Sequence, residues 1–289
     1  MDKVSVIIPT LNAERELSSL LTSLKNQTHK IDEIIVVDSE SEDNTVAICK
    51  IDPLVKLIQI SRKDFDHGKT RDMAFRQSVG DIVVFLTQDA VPANEYFISH
   101  LIDPLKTEDV VLSTGRQLPK KNATVVEKLI RNYNYPDKSY IRSAKDLSEM
   151  GIKTFFFSDV CAAYKRKNYF ELGGFDYPVQ TNEDMFFAAK VINAGYKISY
   201  TANALVYHSH NLSLKEQYNR NFIQGYEIEK HKSLLNNVAI ESEGLKLVKF
   251  VSLDLLKNFK LFSFLYFGLE CISRYLGSKN GRKKANKSL

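Results

Sequence analysis

Val4-Ser5-Val6-Ile7-Ile8-Pro9 begins the chain as a nearly unbroken apolar run, which predicts a buried β-strand. After Asn12, a predicted helix cap, leucines recur at helical spacing from Glu14 to Lys25. The same order of strand, polar turn and helix returns with Glu33–Asp38 and a helix from about Asn44 to Cys49. Strands that alternate with helices predict βαβ units and a mostly parallel sheet.

Two further strands extend this pattern. They are predicted at Val55–Ile60 and Ile82–Leu86, with a helix at Lys69–Ser78 between them. Strands without polar alternation are covered on both faces, so ligands of such sheets bind at the carboxyl ends of the strands. Three residues fall at those ends: Pro9, Asp38 and Asp89.

The second half of the chain has weaker periodicity. Its predicted strands are Val110–Gly115, Thr154–Ser158, Lys197–Tyr200 and Ala204–Tyr207, and its predicted helices are Val125–Tyr133 and Asp184–Ala194. From about Ser213 onward the pattern is almost wholly helical. The predicted architecture is an α/β, Rossmann-like domain over residues 1–212, followed by a helical C-terminal region over residues 213–289.

Positive charge is concentrated at the C-terminus. The formal net charge is +5, and the last 16 residues contain six basic side chains and no acid, so a solvated basic tail is expected. A body close to neutral argues against nucleic acid as a partner. Cys49, Cys161 and Cys271 are far apart in apolar settings, which predicts reduced thiols. With no signal-peptide pattern before the first strand, a cytoplasmic location is expected.

The C-terminal helices combine leucine and phenylalanine with lysine. Their longest nearly apolar stretch, Leu261–Leu269, has nine residues, whereas a spanning helix needs about 20. Three roles stay open for residues 245–289: packing against the first domain, lying in a membrane interface, and contact within a homodimer.

Four separated motifs carry the polar residues of interest. They are Val6-Ile7-Ile8-Pro9-Thr10-Leu11-Asn12, Ile35-Val36-Val37-Asp38-Ser39-Glu40-Ser41-Glu42-Asp43-Asn44-Thr45, Phe85-Leu86-Thr87-Gln88-Asp89 and Asn182-Glu183-Asp184. Together they resemble the inverting, GT-A-type glycosyltransferases of family 2, over roughly residues 3–210. The resemblance implies a GT-A fold, a nucleotide-sugar donor and a divalent cation, Mg²⁺ or Mn²⁺. It also implies a nucleotide-binding half over residues 1–108 and an acceptor half over residues 109–212.

The donor is expected at the first strand ends and before the third helix. By resemblance, Asp38 accepts a hydrogen bond from a pyrimidine N–H, although helix capping is an alternative. Gly68 is expected to let backbone N–H groups approach a diphosphate, and Arg71 to add charge. The predicted donor-binding residues are Pro9, Thr10, Asn12, Asp38, Ser39, His67, Gly68, Arg71 and Gln88.

Asp89 is the expected carboxylate ligand of the cation. Enzymes that use sugar nucleotides often carry an Asp-x-Asp pattern here, but this chain has Thr87 at the first position. The resemblance implies His208 as a further ligand, with His210 on the same strand face as the alternative. A purely structural role for these histidines also stays open.

The Glu183-Asp184 pair is the expected catalytic centre. The resemblance implies that Asp184 is the general base, which deprotonates the acceptor hydroxyl while the sugar is displaced from the opposite side. Both carboxylates also stand at a predicted helix start, where they would favour the helix dipole without any catalytic role.

Two segments are similar to the rhamnosyltransferase branch of this family. They are Phe65-Asp66-His67-Gly68 with Thr70-Arg71, and Leu86-Thr87-Gln88-Asp89-Ala90. This similarity implies a dTDP-rhamnose donor. It also implies a glycan or polyprenyl-diphosphate-linked acceptor in cell-surface polysaccharide synthesis, such as O-antigen or capsule, at the inner face of the plasma membrane.

Three other functions stay open from the sequence. The donor could be a UDP-sugar. A sugar nucleotidyltransferase is disfavoured because the loop Pro9–Glu14 contains no glycine and no basic residue. A catalytically inactive GT-A scaffold is favoured by Thr87 and opposed by Glu183-Asp184.

Overall fold

A computed structural model describes residues 2–236, 238 and 241–288. The strands are β1 Val4–Thr10, β2 Glu33–Asp38, β3 Val55–Gln59, β4 Ile82–Leu86, β5 Val91–Pro92, β6 Val110–Leu118, β7 Tyr140–Arg142, β8 Cys161–Lys165 and β9 Lys197–Tyr207. The helices are α1 Glu14–Lys25, α2 Thr45–Ile51, α3 His67–Gln77, α4 Phe97–Ile102, α5 Val125–Asn134, α6 Leu147–Met150, α7 Arg166–Glu171, α8 Glu183–Asn193, α9 Leu214–Lys230, α10 Glu241–Lys257 and α11 Leu261–Ser288.

All nine strands join one sheet in the order β3-β2-β1-β4-β8-β6-β9-β5, with β7 paired to β9. The first four of these are mutually parallel, whereas β8 is antiparallel to both of its neighbours. The prediction of a mostly parallel sheet therefore describes the N-terminal half, and the second half is mixed.

Hydrophobic cores cover both faces of the sheet. On β1, Val4, Val6 and Ile8 belong to one core, and Ile7 belongs to the other. The alternate side chains of a strand point to opposite faces, so a strand covered on both sides must be apolar throughout. This burial explains the apolar run that begins the chain.

Three local predictions are wrong. The segment Thr154–Ser158 is not a strand, because residues 151–155 form a 3₁₀ turn and Phe155 and Phe157 are buried in the core. The two strands predicted between Lys197 and Tyr207 are one continuous strand. Asn12 does not cap α1: its backbone is left-handed, and its side-chain oxygen accepts a hydrogen bond from the Glu42 N–H at 2.8 Å.

The C-terminal helices pack onto the α/β body and onto each other. Helix α11 lies close against α9 and continues to Ser288. The basic end is therefore helical, and its Lys279, Lys283, Lys284 and Lys287 are exposed to solvent as expected. Gly277 and Gly281 permit this approach, since a side-chain carbon at either would meet a backbone carbonyl of α9. Within the described residues, no helix is long and apolar enough to cross a membrane.

We predict that Gly281→Ala lowers the free energy of unfolding by about 1–3 kcal/mol, the usual cost of overpacking. The added methyl group would meet the carbonyl oxygen of Phe222, which is backbone and cannot rotate away. Gly268→Ala is the matched control in the same helix, because nothing lies within 4 Å of its added carbon. The control should be neutral or stabilising by about 0.5–1 kcal/mol. Urea denaturation measures both, and equal effects would contradict the proposed packing.

Candidate active site

Asp89, His208 and His210 converge at the carboxyl ends of the strands. The Asp89 carboxylate oxygens lie 3.5 Å from Nε2 of His208 and 3.7 Å from Nε2 of His210. The ligand atoms of all three residues lie within 4.8 Å of one another. Sequence reasoning selected Asp89 and His208 with His210 as the alternative, and the structure places both histidines beside Asp89.

Strand pairing brings this triad together. Strand β5 follows Asp89 and pairs with the end of β9, where Val91 lies opposite Tyr207. Strand β6 runs parallel to β9 and places Leu118 beside the same tyrosine. The His208 N–H then donates to the Leu118 carbonyl at 2.9 Å, which fixes the backbone next to Asp89.

The donor set of the triad suits a divalent cation. The Nδ1 atom of His208 lies 2.9 Å from Oε1 of Gln117, so an Nδ1–H would donate there and leave Nε2 free towards Asp89. Burial lowers the pKa of His208 to about 3, and burial likewise lowers the pKa of His210, so both imidazoles are neutral as metal ligands must be. A carboxylate with two neutral imidazoles can hold Mn²⁺ and other first-row ions.

Lys120 is a further member of this site that the sequence analysis missed. Its ammonium nitrogen lies 3.3 Å from the Asp89 carboxylate. Lys120 follows β6, and His208 follows its parallel neighbour β9. Polar residues just beyond two adjacent parallel strands are the sequence signal that would have found it.

A carboxylate cluster, defined as Asp159, Glu183 and Asp184, forms the second part of the site. Asp184 accepts hydrogen bonds from the Asp159 N–H at 3.0 Å and from the Met185 N–H at 2.7 Å. Glu183 lies 3.1 Å from Nη1 of Arg71, and Asp159 lies 3.5 Å from Nε of Arg71. One guanidinium therefore faces two of the three acids.

Two acids of the cluster, Asp159 and Asp184, have raised pKa values. Burial, followed by repulsion from Glu183, raises the pKa of Asp184 to about 7. Burial, followed by repulsion from Asp184, raises the pKa of Asp159 well above its usual range. A carboxylate that is half-ionised near neutral pH is well matched to accepting a proton. Asp184 therefore has the pKa that a general base needs, and Glu183 lies beside Arg71.

The residues predicted to bind the base and ribose mostly organise their own turn. Asp38 is fully buried, and its oxygens accept hydrogen bonds from the Ser41 hydroxyl at 2.5 Å and the Ser41 N–H at 3.0 Å. These contacts hold the Asp38 carboxylate in its own turn, and the role of Asp38 at a nucleotide base stays a prediction. Thr10 and Ser39 are also buried, whereas Asn12 is exposed and Pro9 is half-buried.

The Gln88 side chain is hydrogen-bonded to the loop after β1. Its amide accepts from the Leu11 N–H at 2.8 Å and donates to the Leu11 carbonyl at 3.1 Å. This pair of bonds couples the loop after β1 to the segment that carries Asp89.

The third helix begins two residues earlier than predicted, at His67 rather than Lys69. His67 and Gly68 belong to α3, and Asp66 caps it by accepting from the Lys69 N–H. Gly68 has a packing role, since a side-chain carbon would lie 2.5 Å from the Asp176 carbonyl oxygen. Arg71 is buried against the carboxylate cluster. Contacts of these two residues with a diphosphate stay predictions. His67 stays half-exposed.

A cleft of about 360 Å³, here called the base cleft, opens beside the carboxylate cluster. Its walls include Asp184, Arg71, His67 and Thr87, together with Arg220 and Gln224 of α9. Sequence reasoning missed Asp159 and Arg220. Asp159 stands in Phe157-Ser158-Asp159-Val160, where a lone acid among apolar residues was the available signal.

Comparison with known proteins identifies the chain's relatives. The family profile described as glycosyl transferase family 2 matches residues 5–173. The O-antigen chain rhamnosyltransferase RfbN of Salmonella typhimurium is 41% identical over 224 residues, covering 77% of this chain and 71% of that protein. The O-antigen chain rhamnosyltransferase WbaN of Salmonella anatum is 37% identical over 227 residues, covering 78% and 72%.

Solved structures share the fold at low sequence identity. The mannosyltransferase PcManGT of Pyrobaculum calidifontis, solved with GDP-Man and Mn²⁺, has a TM-score of 0.67 at 17% identity, covering 99% of this chain and 88% of its own. TarS of S. aureus, residues 1–349, solved with UDP-GlcNAc, has a TM-score of 0.58 at 17% identity, covering 98% and 92%. These neighbours confirm the predicted GT-A fold.

We predict that Asp184 contributes stability at pH 5 that is lost by pH 8. The folded pKa of Asp184, about 7, lies above the value of about 3.9 for an unfolded chain. Its contribution to stability is therefore complete below about pH 4 and is lost as the pH rises through about 7. The lowered pKa values of His208 and His210 act in the opposite direction, but they do so in the wild type and in Asp184→Asn alike. Relative to its value at pH 5, the melting temperature at pH 8 should therefore be higher in Asp184→Asn than in the wild type by at least about 2 °C. Asp103→Asn, at an exposed acid, is the control, and an unchanged pH dependence in Asp184→Asn would contradict the raised pKa.

Proposed function

Because this chain belongs to glycosyltransferase family 2, we propose that it transfers L-rhamnose from dTDP-rhamnose to a hydroxyl group of a growing glycan. The names of the two Salmonella relatives support both the sugar and a polysaccharide product such as O-antigen. The observation that carries the reaction is Asp184, a carboxylate of raised pKa at the wall of the base cleft.

The proposed reaction is a single displacement with inversion. Asp184 takes the proton of the acceptor hydroxyl, and the acceptor oxygen forms a bond to the anomeric carbon. The bond from that carbon to the diphosphate breaks at the same time, and dTDP leaves with the electron pair. The two backbone N–H groups on Asp184 hold its carboxylate in place for this step.

We propose Asp89, His208 and His210 as the residues that hold a divalent cation, Mn²⁺ or Mg²⁺. The bound cation supplies positive charge where negative charge develops on the departing diphosphate. Lys120 lies close enough to Asp89 to add a second positive charge at this place. Arg71, in contrast, places its positive charge against Asp159 and Glu183 of the carboxylate cluster.

The nucleotide is proposed to lie in the N-terminal half, residues 1–108, beside the loop after β1. Asn12, Pro9 and His67 are the predicted donor residues that remain accessible to it. Thr10, Asp38, Ser39 and Gln88 support that loop through the contacts described above. The acceptor is proposed to enter from the other half, residues 109–212, where the base cleft lies.

We also propose that the hairpin of α10 and α11 in the C-terminal region, residues 213–289, contacts the inner face of the plasma membrane. Phe259 and Phe262 at its tip are 88% and 92% exposed. The exposed Lys257 and Lys260 flank them, which suits an anionic lipid surface. Further exposed apolar residues continue along both helices, including Leu245, Leu253, Leu265, Leu269 and Ile272.

We predict that Asp184→Asn lowers the release of dTDP from dTDP-rhamnose by about 10²–10⁴-fold while donor affinity stays unchanged. Asp89→Asn should weaken Mn²⁺-dependent donor binding instead, because it removes the carboxylate of the triad. Calorimetry with dTDP-rhamnose, UDP-GlcNAc and GDP-mannose measures binding and tests the donor. Asp103→Asn is the control, since it lies beside the amino ends of the strands. Full turnover in Asp184→Asn, or preference for another nucleotide sugar, would contradict the proposal.

We predict that a Phe259→Ser, Phe262→Ser double variant binds vesicles containing phosphatidylglycerol at least about tenfold more weakly, since each buried phenylalanine contributes about 1.5–3 kcal/mol. Co-sedimentation measures the bound fraction. The control is Ile51→Ser with Val79→Ser, at two exposed apolar residues of the α/β body. If the double variant instead dissociates a dimer in sedimentation velocity and leaves vesicle binding unchanged, a second copy of the chain covers this surface.

A further inference from the structure

A second cavity adjoins the base cleft, and three arginines line it. It measures about 230 Å³ and lies between α5, α9 and α11, with Arg131, Arg220 and Arg274 contributed by one helix each. It is called the arginine cavity here. None of its lining residues belongs to the N-terminal half, residues 1–108. Tyr135, Phe156, Arg220 and Gln224 line both the arginine cavity and the base cleft.

The positive charge of this cavity is only partly neutralised. Arg131 pairs with Glu127 at 2.7 Å, and Arg274 pairs with Glu270 at 3.3 Å. Arg220 has no hydrogen bond or ion pair within the part of the chain that the structure describes, and neither has Nε of Arg274. Three guanidinium groups thus face two carboxylates.

Arg220 is an exposed residue that lies among other cations. Partial loss of solvent around its guanidinium group, followed by repulsion from Arg131, lowers its pKa below the usual value. An isolated excess cation in such a place is stabilised when an anion joins it, and arginine pairs with phosphate oxygens through two parallel hydrogen bonds.

We propose that the arginine cavity binds the diphosphate of a lipid-linked acceptor, with Arg220 as its principal contact. This inference rests on the proposed transferase function, because it assigns the acceptor's position. The acceptor sugar would occupy the base cleft with its hydroxyl at Asp184, and its diphosphate would lie past Arg220. The donor's diphosphate is proposed to lie at Asp89 and Lys120, next to the arginine cavity, because His210 of the triad also lines this cavity.

The route of the lipid supports this assignment. Helix α5, which carries Arg131, packs through Val126 and Ile130 against Val251, Leu255 and Phe267 of α10 and α11. These are the helices that expose the apolar surface described above. An acceptor held by its diphosphate in the arginine cavity therefore has its lipid next to the surface proposed to contact the membrane.

The test measures the binding of geranyl diphosphate by calorimetry to the full chain saturated with dTDP and Mn²⁺. Wild-type protein should bind it, Arg220→Gln should bind it at least about tenfold more weakly, and Arg220→Lys should recover part of the loss. Lys215→Gln is the matched control, because it removes the same charge from the same helix outside the cavity. The affinity for dTDP should be equal in all four proteins.

Two results would overturn the inference. One is the absence of geranyl diphosphate binding to the nucleotide-saturated wild type. The other is a loss of dTDP affinity in Arg220→Gln, which would assign the arginine to the donor's diphosphate. Binding of geranyl diphosphate and affinity for dTDP are both measured without a donor sugar. If the protein binds geranyl diphosphate through Arg220 but does not recognise dTDP-rhamnose, only the proposed rhamnose donor is refuted.

Discussion

The hydrogen-bond ladder of β9 is the constraint on which the site depends. This strand pairs with β6 on one side and with β5 on the other, and a residue of each partner lies opposite Tyr207. The register of this pairing is fixed, because a shift of one residue would turn every buried side chain of the strand to the wrong face. Side chains near Tyr207 therefore stay close together. Asp89, two residues before β5, and His208, one residue after β9, are therefore neighbours although the sequence separates them by more than a hundred positions.

Two charge arrangements with opposite purposes lie at this edge of the sheet. Around Asp89, one carboxylate faces two neutral imidazoles and a lysine, a setting that favours the ionised acid and a bound cation. In the carboxylate cluster, Arg71 pairs with Asp159 and Glu183, and Asp184 has no cation of its own among the described residues. Burial and mutual repulsion then favour its protonated form. The same residue type thus serves as a ligand in one place and as a base in the other.

The helices after residue 212 complete the site from outside the α/β body. Helix α9 supplies Arg220 and Gln224 to the walls of both cavities, and α11 holds α9 in position through contacts that only glycine allows. Helices α10 and α11 dock on α5 while exposing a long apolar surface. One structural unit therefore connects the proposed acceptor site with the proposed membrane contact.

The sequence by itself determined the elements and most of the chemistry. The apolar strands, the leucine spacing of α1, the lone Asp89 and the Glu183-Asp184 pair follow from local pattern, because burial and helix geometry leave a periodic record in the chain. Only the tertiary structure decided which polar residues face one another. It buried Asp38 in its own turn, placed Arg71 against the carboxylate cluster, put both His208 and His210 beside Asp89, and brought Lys120, Asp159 and Arg220 to the site. Their positions depend on strand pairing and helix packing between distant segments, and no local pattern records those contacts.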